Sequence, residues 1–374
     1  MSNKKSSNKK SNARKSRKGK EKPKNGKNLD ALFEAAANDD VAREKNKADR
    51  LESAIWWIAV AGVLLALAFA FPFLSAVEDD AAATTSLPPR TLEEKKSATR
   101  DHNEQPQVIT KIRGYKILKT LPHDTKAFTQ GLTFRPDNSS IVYESTGMYD
   151  ESEIRVLDLE TGTALQEYKI PAKYFGEGMT YVPPPTSQTE EAGGGRLVLI
   201  TYKEQTGMIF DVDTLYVLEE FQYNTTTTEG WGITYVGKDD EKNIPYDYIV
   251  TDGSAFLHFW DSDFQEVQPK QQVLYRTEAM AAQDQPAQPL QLLNELEWDA
   301  STQTLLANVW FQDFIIRIDP KTGFATTFYD LRSLYTDRIP NADVFNGIAL
   351  SSAGDVWVTG KYWPHLYQIE LGEE

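Results

Sequence analysis

Five short segments put a polar or indole side chain directly before a glycine or an acid: Gln130-Gly131-Leu132, Glu177-Gly178-Met179, Trp231-Gly232-Ile233, Asn294-Glu295-Leu296 and Asn346-Gly347-Ile348. Gathered round one axis, two kinds of amide, a carboxylate and an indole would make a concave site suited to a small polar ligand. Glu177 lies in Tyr174-Phe175-Gly176-Glu177-Gly178. A carboxylate beside aromatic rings is desolvated, which raises its pKa and suits it to proton transfer near neutral pH. The same glutamate could instead accept backbone hydrogen bonds at the start of a strand. Trp231, Trp310 and Trp363 could be core residues, and Lys361, between Gly360 and Tyr362, could be an exposed lysine. Spacing alone decides none of these.

The elements that would gather these residues follow from a repeat. Each segment opens a unit whose next strand is a β-branched or aromatic run: Ile141 to Glu144, Leu197 to Tyr202, Tyr248 to Thr251, Leu305 to Trp310 and Val356 to Thr359. The openings recur about every 50 residues, near the period of four-stranded propeller blades. Five openings predict an all-β fold, a five-bladed β-propeller over residues 108–374, with the opening strands lining the central channel. The last unit stops at Leu371 after its third strand. Tyr115-Lys116-Ile117-Leu118 is expected to supply the missing outer strand and close the ring. An irregular β-sandwich is the competing architecture. Turns such as Asp158-Leu159-Glu160-Thr161-Gly162 and Asp319-Pro320-Lys321-Thr322-Gly323 end strands, because Asp bonds its own backbone and Gly accepts positive φ. Residues 183–195 and 276–291 read as surface excursions.

Composition narrows the chemistry. There are no cysteines, so disulfides, a thiol nucleophile and thiolate metal sites are excluded. The four histidines, His102, His123, His258 and His365, stand at no metal-ligand spacing. Residues 1–50 carry 16 Lys+Arg and 7 Asp+Glu, a net of 16 − 7 = +9, against −15 for the whole chain. Residues 54–77 hold no charge and begin with Trp56-Trp57 near one end. That length crosses a bilayer, and the basic flank before it predicts a cytoplasmic N-terminus. The expected organisation is a disordered basic cytoplasmic arm (1–53), a transmembrane signal anchor (54–77), a flexible stem (78–107) and the propeller (108–374). That organisation predicts a single-pass type II membrane protein with its propeller luminal or extracellular. A cleaved signal peptide is the alternative, although both apolar run and arm are long for one. The Lys/Ser/Asn stretch of the arm is read as setting topology or touching anionic lipid rather than binding nucleic acid. Asn138-Ser139-Ser140 and Asn224-Thr225-Thr226 are glycosylation sequons. A monomer is expected.

Across about residues 109–371 the chain resembles the plant and bacterial glutamine cyclotransferases. The matching segments run in order: Pro122-His123-Asp124, Ala127 to Leu132, Glu144 to Tyr149, Tyr174 to Gly178, Gly230-Trp231-Gly232, Thr251 to Ser254, Leu293 to Glu297, Ala307 to Trp310, Asn346 to Ala349 and Val358 to Pro364. The resemblance implies a five-bladed propeller that converts the N-terminal glutamine of peptides and proteins to pyroglutamate, releasing ammonia. It implies no cofactor and no metal in the chemistry. It also carries the family's pocket onto Phe128, Gln130, Phe175, Glu177, Trp231, Asn294, Trp310 and Lys361. Glu177, Lys361, Gln130 and Asn294 are the expected catalytic residues: Glu177 shuttles the proton, and the other three hold the oxyanion. Phe128, Phe175, Tyr202, Trp231 and Trp310 are the expected substrate walls. Tyr202 is a departure, since the family has tryptophan there. Two other readings remain: a Ca²⁺-dependent, lactonase-like propeller hydrolase using Glu177, Asn294 and Asn346 as oxygen ligands, and a non-catalytic peptide-binding propeller.

Overall fold

The structure, a computed structural model, describes residues 108–184 and 194–372. The basic arm, the apolar span at 54–77, the stem and most of the excursion at 183–195 lie outside the described residues. Among the described residues no helix is long and apolar enough to cross a membrane.

Five sheets form the body, each built on a run of consecutive antiparallel strands. We number them as blades 1 (129–169), 2 (176–222), 3 (232–272), 4 (293–330) and 5 (345–371). The first strands of the blades are Thr129–Arg135, Gly176–Val182, Gly232–Tyr235, Leu293–Asp299 and Phe345–Leu350. Each touches the first strand of the next blade, and the fifth touches the first, so they form the inner ring of a propeller. Strands can approach this closely because small residues face one another. A Cβ on Gly178 would stand 2.7 Å from the Cα of Gly232 and 2.9 Å from the carbonyl oxygen of Trp231.

Ring closure follows the sequence expectation and extends it. The strand Tyr115–Pro122 pairs antiparallel with His365–Leu371 and becomes the outer strand of blade 5. Before that, Lys111–Arg113 adds in parallel to Ala325–Asp330 as a fifth strand of blade 4, a pairing the sequence reading did not foresee. The core sits between blades. Tyr143, Ile154, Leu197 and Phe210 pack across blades 1 and 2, and Leu306, Ile315, Phe345 and Trp363 across blades 4 and 5. Both faces of the middle strands are therefore covered, which is why Leu197 to Ile200 is a continuous apolar run rather than an alternating one. Each such large side chain contributes about 1.5–3 kcal/mol on burial.

The aspartate turns form as their chemistry requires. Asp158 Oδ1 accepts from Thr161 N at 2.9 Å and Oγ1 at 2.7 Å, and Asp211 Oδ1 holds Thr214 in the same way. The stretch at 276–291 is more than a surface excursion. It holds a short helix, α1 (Glu278–Ala282), capped by Thr277. Met280 and Arg276 are buried, and Thr110 bonds back to Arg276. Threonine capping and a buried methionine give this insertion its own anchor.

Candidate active site

Four of the five opening segments are irregularities in the inner ladder. In blade 1 the pairing passes from Thr129–Thr146 to Gly131–Ser145, so Gln130 has no partner across the strand. Blade 2 passes from Gly176–Thr201 to Met179–Leu199 around Glu177, blade 4 from Leu293–Val309 to Leu296–Ala307 around Asn294, and blade 5 from Phe345–Gly360 to Ile348–Val358 around Asn346. A bulge bends the strand and re-aims one side chain. Trp231 sits immediately before the first strand of blade 3.

These side chains converge in part through direct contacts. Gln130, Glu177, Asn294, Asn346 and Lys361 are all buried. Gln130 Nε2 donates to Glu177 Oε1 at 2.9 Å. Asn346 Nδ2 donates to the carbonyl of Thr129 at 3.0 Å, fixing the strand that carries Gln130. Lys361 Nζ lies 4.4 Å from the centre of the Phe128 ring. The Phe128 ring makes an edge contact with Phe175 at 6.1 Å, and Phe175 meets Tyr202 at 5.7 Å. Trp231 and Trp310 meet edge to face at 5.3 Å, and Trp310 stacks on Phe311 at 4.1 Å. The five expected wall residues are all half-buried. The result is a buried polar floor with a partly open aromatic wall.

Electrostatics separate the floor residues. Burial pushes the Glu177 carboxyl well above the usual range; the Lys361 charge opposes this, while Glu229 and Glu204 add to it. Burial likewise depresses the Lys361 ammonium, with Glu177 and Asp343 opposing. Both groups are thereby moved toward neutrality, which suits proton transfer near neutral pH. The Tyr202 phenol is pushed up to about 12 by burial and by Glu229. It stays a neutral hydroxyl, which can accept as well as donate a hydrogen bond at the wall. Asn294 Oδ1 is buried and has no hydrogen-bond partner among the described residues. A buried carbonyl left this way costs about 1–3 kcal/mol, and an N–H from a bound ligand would relieve it.

Several neighbours escaped the sequence reading. Glu229 accepts from Trp231 Nε1 at 3.0 Å and stands 3.7 Å from Lys203 Nζ. Its signal was an acid beside glycine one step ahead of the Trp231 opening. Glu295 takes the slot that glycine holds in the other four openings. Its carboxylate accepts from Leu132 N at 3.3 Å and Ile348 N at 2.9 Å, so it joins blade 4 to blades 1 and 5. Among the described residues no three His, Cys, Asp or Glu side chains are grouped to hold a metal ion. A cavity of about 640 Å³ lined by Thr302, Arg317, Lys321 and Gly372 shares no residue with this floor.

Comparison with known proteins agrees with this geometry. The family model described as glutamine cyclotransferase matches residues 90–371. A glutaminyl-peptide cyclotransferase of Arabidopsis thaliana is 32% identical over 266 residues, 70% of this chain and 72% of the relative. The crystal structure of Myxococcus xanthus glutaminyl cyclase superposes with a TM-score of 0.55 at 26% identity, covering 70% of this chain and 98% of that one. A match across three-quarters of the sequence, carried by a closed five-bladed ring with a buried glutamate among aromatic walls, makes this chain a member of the glutamine cyclotransferase family.

Proposed function

We propose that this chain is a glutaminyl-peptide cyclotransferase in which Glu177 is the proton shuttle. The observation that carries the assignment is the buried Glu177 carboxyl, held by Gln130 and acted on by the Lys361 charge. The reaction balances within the substrate. The free α-amine of an N-terminal glutamine attacks its own side-chain amide carbon. Glu177, as carboxylate, takes the proton that the attacking nitrogen sheds and returns it to the departing nitrogen as the C–N bond breaks. A five-membered lactam remains and ammonia leaves. Gln130, Asn294 and Lys361 are the donors for the oxygen that becomes negative. Phe128, Phe175, Tyr202, Trp231 and Trp310 hold the amine against the carbonyl and exclude water. The test is incubation of the full-length protein with a Gln-initiated peptide, with mass spectrometry for loss of one ammonia. Turnover should persist in EDTA; loss on chelation would favour the calcium hydrolase reading.

The cellular setting is also proposed. The charge-free run at 54–77 anchors a type II protein, with the propeller on the luminal or extracellular side, acting as a monomer on Gln-initiated chains. The exposure of both sequon asparagines, Asn138 and Asn224, supports glycosylation there. Glycosidase treatment should shift the mobility of the protein, and protease added to intact vesicles should remove only the N-terminal arm.

A further inference from the structure

We infer that Met148 and Tyr149 form a ledge that binds the side chain of the residue following the N-terminal glutamine, and that this subsite favours an apolar or aromatic side chain. The inference rests on the cyclotransferase reading. In that reading the glutamine amine and side chain must reach the buried floor, so the rest of the peptide leaves over the rim.

The loop at 147–152 is built into that rim. Gly147 N donates to the carbonyl of Phe128 at 2.9 Å, and a Cβ on Gly147 would collide with the Phe175 ring and touch Gln130. The next two residues turn outward. Met148 is 37% and Tyr149 47% exposed, large apolar surfaces beside a buried site. Tyr149 packs edge-on against Phe175 at 5.4 Å, and its hydroxyl donates to Glu204 at 2.8 Å. Ser152 Oγ donates to the Met148 carbonyl at 2.7 Å and accepts from Gly176 N at 3.0 Å, one residue before Glu177. The ledge is thus tied to both strands that supply the floor.

Met148 has φ +101°, a backbone conformation that L side chains resist and glycine adopts freely. Strain of this kind persists where the surroundings enforce it and clusters at ligand sites. An unbranched thioether on such a backbone offers an adaptable apolar surface, and the pinned tyrosine offers a rigid one.

The experiment measures kcat/KM for glutamine amide, Gln-Gly-NH₂ and Gln-Phe-NH₂ on the full-length protein and on Met148→Gly, Tyr149→Ala and Tyr149→Phe. In the parent protein Gln-Phe-NH₂ should exceed Gln-Gly-NH₂. Met148→Gly and Tyr149→Ala should each lower the ratio of Gln-Phe-NH₂ to glutamine amide by about tenfold, mainly through KM, as expected for losing an apolar contact. Tyr149→Phe, which keeps the ring, should hold the ratio near the parent value. Met148→Gly should melt no lower than the parent, because glycine relieves the strain. A ratio unchanged in both truncated variants, including a uniform loss on all substrates, overturns the ledge while leaving the cyclotransferase reading intact. Absence of turnover on all three substrates by the parent overturns both.

Discussion

Two glutamates of blades 1 and 2 are equally removed from water and are driven in opposite directions. Glu177, in the site, accepts one hydrogen bond, from Gln130, and its carboxyl is held up by burial. Glu144, at the seam where blade 5 meets blade 1, accepts from His123 Nε2 at 2.9 Å, Thr129 Oγ1 at 2.7 Å and Arg155 at 3.3 Å. Burial would raise it too, but His123, Arg155 and these bonds hold it below the usual range. His123 is itself raised despite its burial, by Glu144 and by the Trp363 carbonyl at 2.8 Å. Desolvation is common to both sites; the supply of partners differs. At the seam the fully compensated carboxylate of Glu144 is a structural bolt, while in the site the under-compensated Glu177 is available for chemistry.

The contrast can be broken most sharply at Glu177. Glu177→Gln should lower kcat by about 10²–10⁴-fold, the range for a lost acid–base group, while melting no lower than the parent. Glu144→Gln should do the reverse. Removing the counter-charge from His123 and Arg155 should cost about 3–5 kcal/mol of stability, read by denaturant unfolding. The seam also sets a pH window. The Glu144 contribution is present above the ordinary glutamate pKa and lost as pH falls through its depressed value. The His123 contribution is complete below about pH 6.5 and lost as pH rises through its raised value. Stability from the seam should therefore peak between the two, and the peak should vanish in Glu144→Gln.

A smaller effect sharpens the picture of Glu177. Lys361 favours its charged form, so Lys361→Met should move the acidic limb of the kcat/KM–pH profile upward. A limb that stays put or moves down would separate the two groups. The smallest effect belongs to Glu297, which burial pushes up to about 8 although Leu350 N and Thr234 Oγ1 donate to it. A raised carboxyl weakens the fold as pH climbs from the ordinary glutamate value toward 8. Glu297→Gln should raise Tm by a few degrees at pH 8 and leave it unchanged at pH 4.

Much of the ring was legible because it is written in local signals. The repeated openings, the aspartate turns and the orphan outer strand at Tyr115 all lie in short windows. The bulges were not legible, since nothing in Glu177-Gly178 distinguishes a bulged residue from a paired one until the opposing strand is in place. Glu295 was visible as an exception to the glycine pattern, yet its use as a tie between three blades depends on backbone groups more than fifty residues away. The parallel addition of Lys111–Arg113 had no signal for the same reason: three residues carry too little pattern to name a distant partner. The repeat pointed to Gln130, Glu177, Asn294 and Asn346 in the floor and to Trp231 in the wall; Lys361 and the other walls entered only through the family resemblance, and Glu229 needed the packed loops.

The strand Tyr115–Pro122 is among the first described residues to leave the ribosome, and its partner His365–Leu371 is among the last. Until the final blade emerges, that early strand has no ladder to join, and its exposed Ile117 and Leu118 are left without their pairing edge. Translation therefore produces four blades before the clasp can form. The step that completes the enzyme is a long-range closure of the slow kind, and the waiting interval is where chaperones would be most needed.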